Sequence, residues 1–539
     1  MGFFLTLDVG TTAVKAALFD EKLCRAGIVI KEYGLLTPEP DIVELPADVY
    51  WENVVSCIRE LTSQTKSATK ILAITCTTQG ETLIPVDGGG AALHNAVVWL
   101  DARAKAEAAH LNNLYTKETF YKVTGIPDIS PYCPVAKLMW FKGQRPDIYS
   151  KAVKFLLLED YLVYRLTGRF VSNPSMMCTT GYMDIRDNGL WMEIIEKTGL
   201  DPGKIPGLVS SGTVVGRLTE KSAAELGLTT DVTVTSGAMD QAAAALGAGG
   251  AQAGFLSETT GTCLAVSVAA DSPSTDHWSP VPVYSHVRPG LYLKIVVMQT
   301  AGIVLKWFRD EFCHDILAEG GNAYARMGDI AMEAPPLSRG LIVFPHFAGT
   351  YSNPVARGVF FGAGLETGRG CFIRAIMESV GYMLKESLSL LDVGPAAAYA
   401  VEQDAAHLVG PGIVHPMEPA ALHPVEPIAA HPVGPGIVHS MGGGAKSALW
   451  SQIKADICEA PIRLLEEDET ASMGAAILGG VAVKRFSGFD EAIGMIKPGV
   501  TYTPNPSSSG LYGHGYERYK KLYEQFSPLF ESAEGNLWS

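Results

Sequence analysis

Several short stretches combine residue types whose chemistry can be stated at once. "LDVGTTAVK" places Asp8 at the end of an apolar run, followed by Gly10, Thr11 and Thr12. Glycine lets backbone N–H groups approach an anion, and the two hydroxyls add hydrogen bonds. A carboxylate at a strand end can hold Mg2+ through water. A β-turn that carries threonines is the plain alternative. The same chemistry recurs in "ETTGTC", at Thr259, Thr260, Gly261 and Thr262. Two such hairpins facing each other would grip a polyphosphate from both sides. "SGAMDQAAAALG" puts Asp240 just past a strand and a glycine, at a helix start, where an acid is either an N-cap or a base that takes a proton from a hydroxyl. "TTQGET" and "VVWLDARA" offer Gln79, Glu81, Trp99, Asp101 and Arg103. Amide, carboxylate, guanidinium and an aromatic face together suit a polyol; taken singly, each reads as a surface or capping residue. "MGGGAKS" lacks the Walker spacing, since Ala445 stands where the last glycine belongs. It remains a glycine turn between a strand and a helix, able to bring backbone close to a flat ring or a sugar.

The elements that must position these residues follow from periodicity. Phe3–Leu7 is a short β-rich run, and Val14–Phe19 resumes strand character after Gly10–Thr12, which predicts a hairpin. "ILAITCTTQGETLIPVDGGG" predicts strand, polar turn, strand and glycine loop. "DVYWENVVSCIRELTSQ" has helical spacing at Tyr50, Val54, Ile58 and Leu61, with Asp48 as N-cap. "PVAKLMWFKGQRPDIY" and "EDYLVYRLTG" predict further helices. From residue 232 the pattern gives a strand, an alanine-rich helix after Asp240, a glycine-rich break and a new hairpin across "TTGT", restating the opening. The second half thus reads as a second copy of the first fold. "LIVFPHFAG" predicts a strand, "RAIMESVGYMLKESLSLL" and "ETASMGAAILGGVAV" helices, "GIVHSMGGGAKSALWSQIKADIC" a strand, glycine loop and helix, and "GYERYKKLYEQFSPLF" a closing amphipathic helix.

The chain has 539 residues, enough for two large domains, and 47% hydrophobic with 18% charged residues describes a globular protein. A net charge of −15 argues against nucleic acid or an anionic membrane as partner. Nine cysteines without a CxxC motif predict reduced thiols in the cytosol, not a disulfide frame or zinc site. The opening "MGFFLTLDVGTT" has no signal-peptide pattern, and no run of about 18 apolar residues predicts a membrane helix.

From His407 to His439 a histidine recurs every eight residues, and the octad frame extends upstream to Leu391. Proline at most fifth positions forbids continuous helix. The expectation is a solvated, expanded loop, with a small β or polyproline layer and a histidine metal site as weaker readings.

The order of these motifs resembles the FGGY family of carbohydrate kinases, in the actin-like ATPase superfamily. "LDVGTTAVKAALFD", "AVVWLDARA", "GAMDQAAAALGAG", "ETTGTC", "RGVFFGAGLETGRGCFIRAIMESVGY", "MGGGAKSALWSQIKADI" and "TASMGAAILGGVAV" carry the resemblance over nearly the whole chain. It implies an α/β fold of two RNase H-like domains with a central cleft, residues 1–250 for sugar, phosphates and base and residues 251–539 for nucleotide, with the octads inserted at about 391–436. It implies ATP and Mg2+, a small sugar or polyol as substrate, a cytoplasmic enzyme and, by family habit, a homodimer. By the same resemblance Asp240 is the general base, and Asp8 and Asp240 are the metal carboxylates, acting through water. Gly10, Thr11, Thr12, Lys15, Thr260, Gly261, Thr262, Gly443, Gly444 and Ser447 contact ATP. Gln79, Glu81, Trp99, Asp101, Arg103, Asp240 and Gln241 contact the substrate.

Departures bear on the sugar. Gly80 stands before Glu81 where glycerol kinases carry arginine, and Thr78-Gln79-Gly80 replaces the Met-His-Gly usual in xylulokinases. "AGTYSNP" replaces a Gly-Glu-Arg, so Thr350 and Tyr351 stand in. "AGIVLKWFRDEFC" and "LDARA" look like the autoinducer-2 kinases. A ketose such as xylulose is the first expectation and autoinducer-2 or another polyol the second. An actin-like ATPase without kinase activity and an inactive ligand sensor are the readings from other classes.

Overall fold

The computed structural model describes residues 2–350, 353–393 and 436–532; the octad segment 394–435, and Tyr351, lie outside them. The chain forms two compact units. The first comprises Met1–Phe255, Val268–Lys294 and Glu466–Lys497, the second Leu256–Ser267, Ile295–Leu465 and Pro498–Ser539.

The first unit is built on the opening hairpin. Strands β1 (Phe3–Val9) and β2 (Ala13–Asp20) pair antiparallel, Asp8 opposite Lys15, and β3 (Arg25–Glu32) continues at the edge. Helix α1 (Ala47–Thr65) then carries the chain across to β4 (Ile71–Thr78), parallel to β1. Two more strands, β5 (Val214–Arg217) and β6 (Thr233–Met239), complete the order β5-β6-β4-β1-β2-β3. β1 is mostly apolar, and Phe4 to Leu7 are buried on both faces. Leu5, Leu7 and Val9 pack in one core with Tyr50, Val54, Ile58 and Leu61 of α1, the helical stripe that spacing predicted. Phe4, pointing the other way, packs its ring at a tilt against Phe486, centroids 5.6 Å apart.

Helix α2 (Asp240–Gly247) leaves β6 directly, and α3 (Thr470–Ala482) returns from the far end of the sequence to pack on it. Their contact is backbone on backbone. A Cβ on Gly247 would lie 1.9 Å from Thr470 O, and one on Gly474 1.9 Å from Ala243 O. The "MGAAILGG" composition is thus a packing requirement.

In the second unit the strand Leu256–Thr260 has the strand Leu264–Ala270 on one side and Val438–Met441 on the other. Val438–Met441 runs parallel to it, then come Ile462–Leu465, also parallel, and antiparallel Pro498–Tyr502. This repeats the order of the opening motif, as the sequence led one to expect. The last octad supplies real structure: Val438 is buried and His439 lies with Nδ1 3.2 Å from Leu256 O.

Three expectations need correction. Asp48 is no N-cap; Pro46 holds that place, and Asp48 in the first turn accepts from Arg165 Nη1 at 2.8 Å. "PVAKLMWFKGQRPDIY" forms two helices, Pro134–Gln144 and Pro146–Lys151, because Pro146 drives Arg145 out of the helical region (φ −133°, ψ 57°). The closing helix starts at Pro506, well before Gly515, and contains Pro528. All nine cysteines are free thiols, and no described helix is long and apolar enough to cross a membrane.

Candidate functional site

In the first unit, Asp8 is the last residue but one of β1 and faces Lys15 across the hairpin, Nζ to Oδ2 3.6 Å. Lys15 also donates to Glu469 Oε2 at 2.7 Å, a residue that arrives with the segment leading into α3. Burial holds the Asp8 carboxyl above its ordinary range, with Lys15 pulling the other way. The turn itself is braced from behind, Tyr33 donating its hydroxyl to Gly10 O at 2.5 Å. Thr12 is exposed, and Gly10 and Thr11 are partly so.

Thr11 joins this turn to Gln79 and Trp99, two of the residues expected to meet the substrate. Its hydroxyl donates to Gln79 Oε1 at 2.8 Å and accepts from Trp99 Nε1 at 2.9 Å. Gln79 Nε2 and the Trp99 backbone N–H both donate to Thr82 Oγ1, at 3.1 and 3.2 Å. The structure thus brings Thr11, Gln79 and Trp99 into one hydrogen-bonded chain, with the Trp99 side exposed.

Glu81 adopts a left-handed backbone conformation (φ 63°) at the turn between β4 and Leu83–Val86. Burial pushes its carboxyl up to about 7, against the pull of the Lys137 ammonium. Lys137, fully buried, aims its Nζ at three backbone oxygens: Val98 at 2.9 Å, and Glu81 and Trp99 at 3.4 Å each. Burial pushes its pKa down to about 8. It is a strut beneath the Glu81–Trp99 wall.

Asp101 and Arg103 form a tightly bonded pair. Asp101 is fully buried and accepts from Val43 N at 2.7 Å and from Arg103 N, Nε and Nη2 at 3.0, 2.8 and 2.7 Å. Arg103 also binds Glu44 at 2.6 Å and lies over the Trp140 ring. The Asp101 carboxylate and the Nε and Nη2 groups of Arg103 are thus engaged within the fold.

Asp240 is the first residue of α2, with Met239 at the N-cap position. Its Oδ1 accepts from Gln241 N at 2.6 Å. Burial, and then the charge of Asp8, push its carboxyl up to about 7. Asp8 and Asp240 are therefore electrostatic neighbours, and two hard oxygen donors of this kind fit Mg2+ bound through water. Gln241 is exposed on the first turn. A cavity of about 230 Å3 in the same unit is lined by Pro174, Asn188, Ser210, Ser285 and His286 among others, and by none of these residues.

In the second unit the turn after Thr260 sits against the start of helix Gly302–Phe312. Gly302 N donates to Gly261 O and Ala301 N to Thr262 O, both at 2.9 Å. Thr260 is buried: its hydroxyl donates to Glu258 Oε2 at 2.8 Å and accepts from Lys454 Nζ at 2.7 Å. Lys454 also pairs with Glu258 at 2.7 Å, both fully buried. In the glycine loop, Gly442 has φ 79° and a Cβ there would meet Thr260 O at 2.8 Å; one on Gly444 would meet Thr260 Cβ at 2.7 Å. Those two glycines admit the loop against the Thr260 turn, while Gly443 is exposed with nothing near its Cβ position. The Ser447 hydroxyl accepts from Trp450 N at 3.3 Å, which makes it the N-cap of Ala448–Cys458.

A model of the N-terminal domain of the FGGY family of carbohydrate kinases matches residues 3–247, and one of its C-terminal domain matches residues 256–483. The chain belongs to the FGGY family of carbohydrate kinases. It is an enzyme that transfers a phosphoryl group to a sugar-type hydroxyl, and its fold is the actin-like ATPase fold of that family. Family membership removes the reading as an actin-like ATPase outside the carbohydrate kinases.

This FGGY kinase is 27% identical over 520 residues to the gluconokinase of Bacillus subtilis (strain 168), covering 95% of this chain and 93% of the relative. It is 27% identical over 551 residues to the autoinducer-2 kinase of Enterobacter sp. (strain 638), 99% and 96% covered. It is 26% identical over 530 residues to a xylulose kinase of Staphylococcus epidermidis, 97% of each covered. Among solved structures, ligand-bound xylulose kinase from Lactobacillus acidophilus superposes with a TM-score of 0.82 at 23% identity, covering 99% of this chain and 100% of that one. Xylulose kinase from Rhodospirillum rubrum gives 0.80 at 25%, covering 98% and 99%.

Sequence reasoning missed Lys137, Glu469, Glu258, Lys454 and Glu159. A lysine inside the apolar run "PVAKLMW" and a glutamate after "FLLL" were visible as buried charges. Nothing local signals Glu469, which lies 454 residues from Lys15.

Proposed function

We propose that this kinase uses ATP to phosphorylate a neutral polyhydroxy substrate, a ketose such as xylulose first, with Asp240 as general base. The observation that carries the reading is the Asp240 carboxylate at the end of β6, held by one backbone N–H and pushed up to about 7 by burial and Asp8. A base in that range is matched to neutral pH. In the transfer, an acceptor oxygen attacks the γ-phosphorus in line, the bond to the bridging β–γ oxygen breaks, ADP leaves, and the acceptor proton passes to the Asp240 carboxylate. Asp8 and Asp240 would hold Mg2+ through water, and when bound it supplies the charge neutralisation that phosphoryl transfer requires. The Gly10–Thr12 turn and Lys15 are assigned to phosphates, and Gly261, Thr262 and the Gly443 face of the glycine loop to nucleotide; Thr260 and Ser447 act by shaping those loops. Gln79, Glu81, Trp99 and Gln241 are assigned to the sugar, with Asp101 and Arg103 as scaffold beneath them.

The preference for a neutral acceptor over an aldonate follows from charge. Around the sugar wall the carboxylates are Glu81, Asp240 and Asp8, whereas Lys137 is turned to backbone carbonyls and Arg103 to Asp101 and Glu44. Both of these cations already have partners within the fold, which favours a neutral acceptor over a substrate carboxylate. The test is ADP release from Mg-ATP with xylulose and other ketoses, polyols, autoinducer-2 and gluconate, with Asp240→Asn alongside. Stimulation by a neutral sugar that the variant loses supports the reading. Gluconate as the preferred substrate would overturn the neutral-acceptor part.

A further inference from the structure

The strand that delivers Asp240 does not run straight. β6 pairs regularly with β4 from Thr233↔Ala73 to Thr235↔Thr75, then shifts so that Ala238 faces Thr77 and Met239 faces Thr78. Ser236 and Gly237 therefore stand against the single Cys76, a bulge of the kind that re-aims whatever follows it. The bulge is tight: a Cβ on Gly237 would fall 1.5 Å from Cys76 O.

Side chains, not ladder partners, take up the bulge's N–H groups on the side leading to Asp240. Gly237 N donates to Glu159 Oε1 at 2.8 Å, and Met239 N to Ser175 Oγ at 3.1 Å. The two acceptors are joined through Asn173, whose Nδ2 donates to Glu159 Oε2 at 3.0 Å and whose Oδ1 accepts from Ser175 Oγ at 2.6 Å. The result is a closed circuit that clamps the strand at positions 237 and 239, one residue before the base. Glu159 is 1% exposed and Asn173 and Ser175 are fully buried. Burying a polar acid group is costly, and apolar packing would hold a strand to a helix at lower cost. An acceptor for an off-ladder N–H is what an apolar residue cannot supply.

We propose that Glu159, acting with Asn173 and Ser175, is a positioning residue that sets the direction from which the Asp240 carboxylate meets the acceptor hydroxyl. The inference rests on Asp240 being the base. Misplacement of a reacting group by about 1 Å costs roughly 10²-fold in rate, so loss of the clamp is read in turnover and not in affinity.

The experiment compares Glu159→Leu, which removes the acceptor, with Glu159→Gln, which keeps an amide oxygen for Gly237 N–H. Ser175→Ala opens the other end of the circuit and carries the test should Glu159→Leu fail to fold. Expected are a fall in kcat of about 10- to 100-fold for Glu159→Leu and Ser175→Ala, with KM for sugar and for ATP each within about threefold of wild type. Glu159→Gln should recover to within about threefold. Folded Glu159→Leu or Ser175→Ala protein with kcat within twofold of wild type overturns the proposal, as does a parallel rise in both KM values. Asp240→Asn is measured beside them. If it retains turnover, the assignment of the base has failed; if it is inactive while the clamp variants are normal, the positioning role alone has failed.

Discussion

Asp240, partly exposed, and Glu159, buried, each make a pH-dependent prediction of their own. Asp240 must be ionised to accept a proton, and its carboxyl is pushed up to about 7 with Asp8 as the second cause. In wild type, kcat/KM should therefore fall as pH drops below about 7. In Asp8→Asn the remaining activity should show this limb at lower pH, because the repelling charge is gone; an unmoved limb would contradict the coupling. Glu159 is raised from 4.5 to about 8 by burial and by its neighbour Asp160. The folded state therefore holds a proton that the unfolded chain releases. The linked stability is present below about pH 4.5 and is lost as pH climbs towards 8. Glu159→Gln cannot titrate, so its melting temperature should fall less than that of wild type between pH 5.5 and pH 8, which parallel thermal melts will show. The sequence disclosed Asp240 because a strand, a glycine and an alanine-rich helix bracket it. It did not disclose Glu159, because its partner N–H belongs to a bulge, and a bulge is a matter of register between strands distant in sequence.

Among elements, the hairpins, α1 and the alanine-rich helix were legible because each buries one face with a period that residues alone reveal: Tyr50, Val54, Ile58 and Leu61 in α1, for example. The "AAAALG" and "MGAAILGG" helices were legible singly but not as partners, since small residues tell that something comes close without telling what. Their contact makes a sharp prediction. Gly474→Ala places a methyl carbon where Ala243 O already lies, so the helices must separate, at a cost of at least about 1–3 kcal/mol. A lowered thermal midpoint checks it, and because α2 begins at Asp240, turnover should drop as well. In the second unit, Lys454→Met would leave Glu258 buried without its cation. We expect a loss of about 3–5 kcal/mol, seen in denaturant unfolding, and weakened ATP binding through the Thr260 turn.

For the molecule as a whole, the octads pose the simplest test. Only their last residues enter a described element, the strand Val438–Met441 that leads into the glycine loop. An in-frame deletion of residues 399–430 should leave ATP affinity within a few-fold, as measured by calorimetry; loss of folding or of binding would assign the repeat to the working structure. Helix α3 carries the other consequence. It lies beyond residue 466, yet it packs on the sheet that begins at Phe3, and the glutamate just before it holds Lys15. During synthesis the first two hundred and fifty or so residues emerge as an unfinished shell, its apolar face on α2 and β1 still bare while the other unit and the octads are translated. The nascent chain must keep that face from strangers until its own helix arrives, so a messenger cut short before codon 470 would yield not half an enzyme but a client for chaperones.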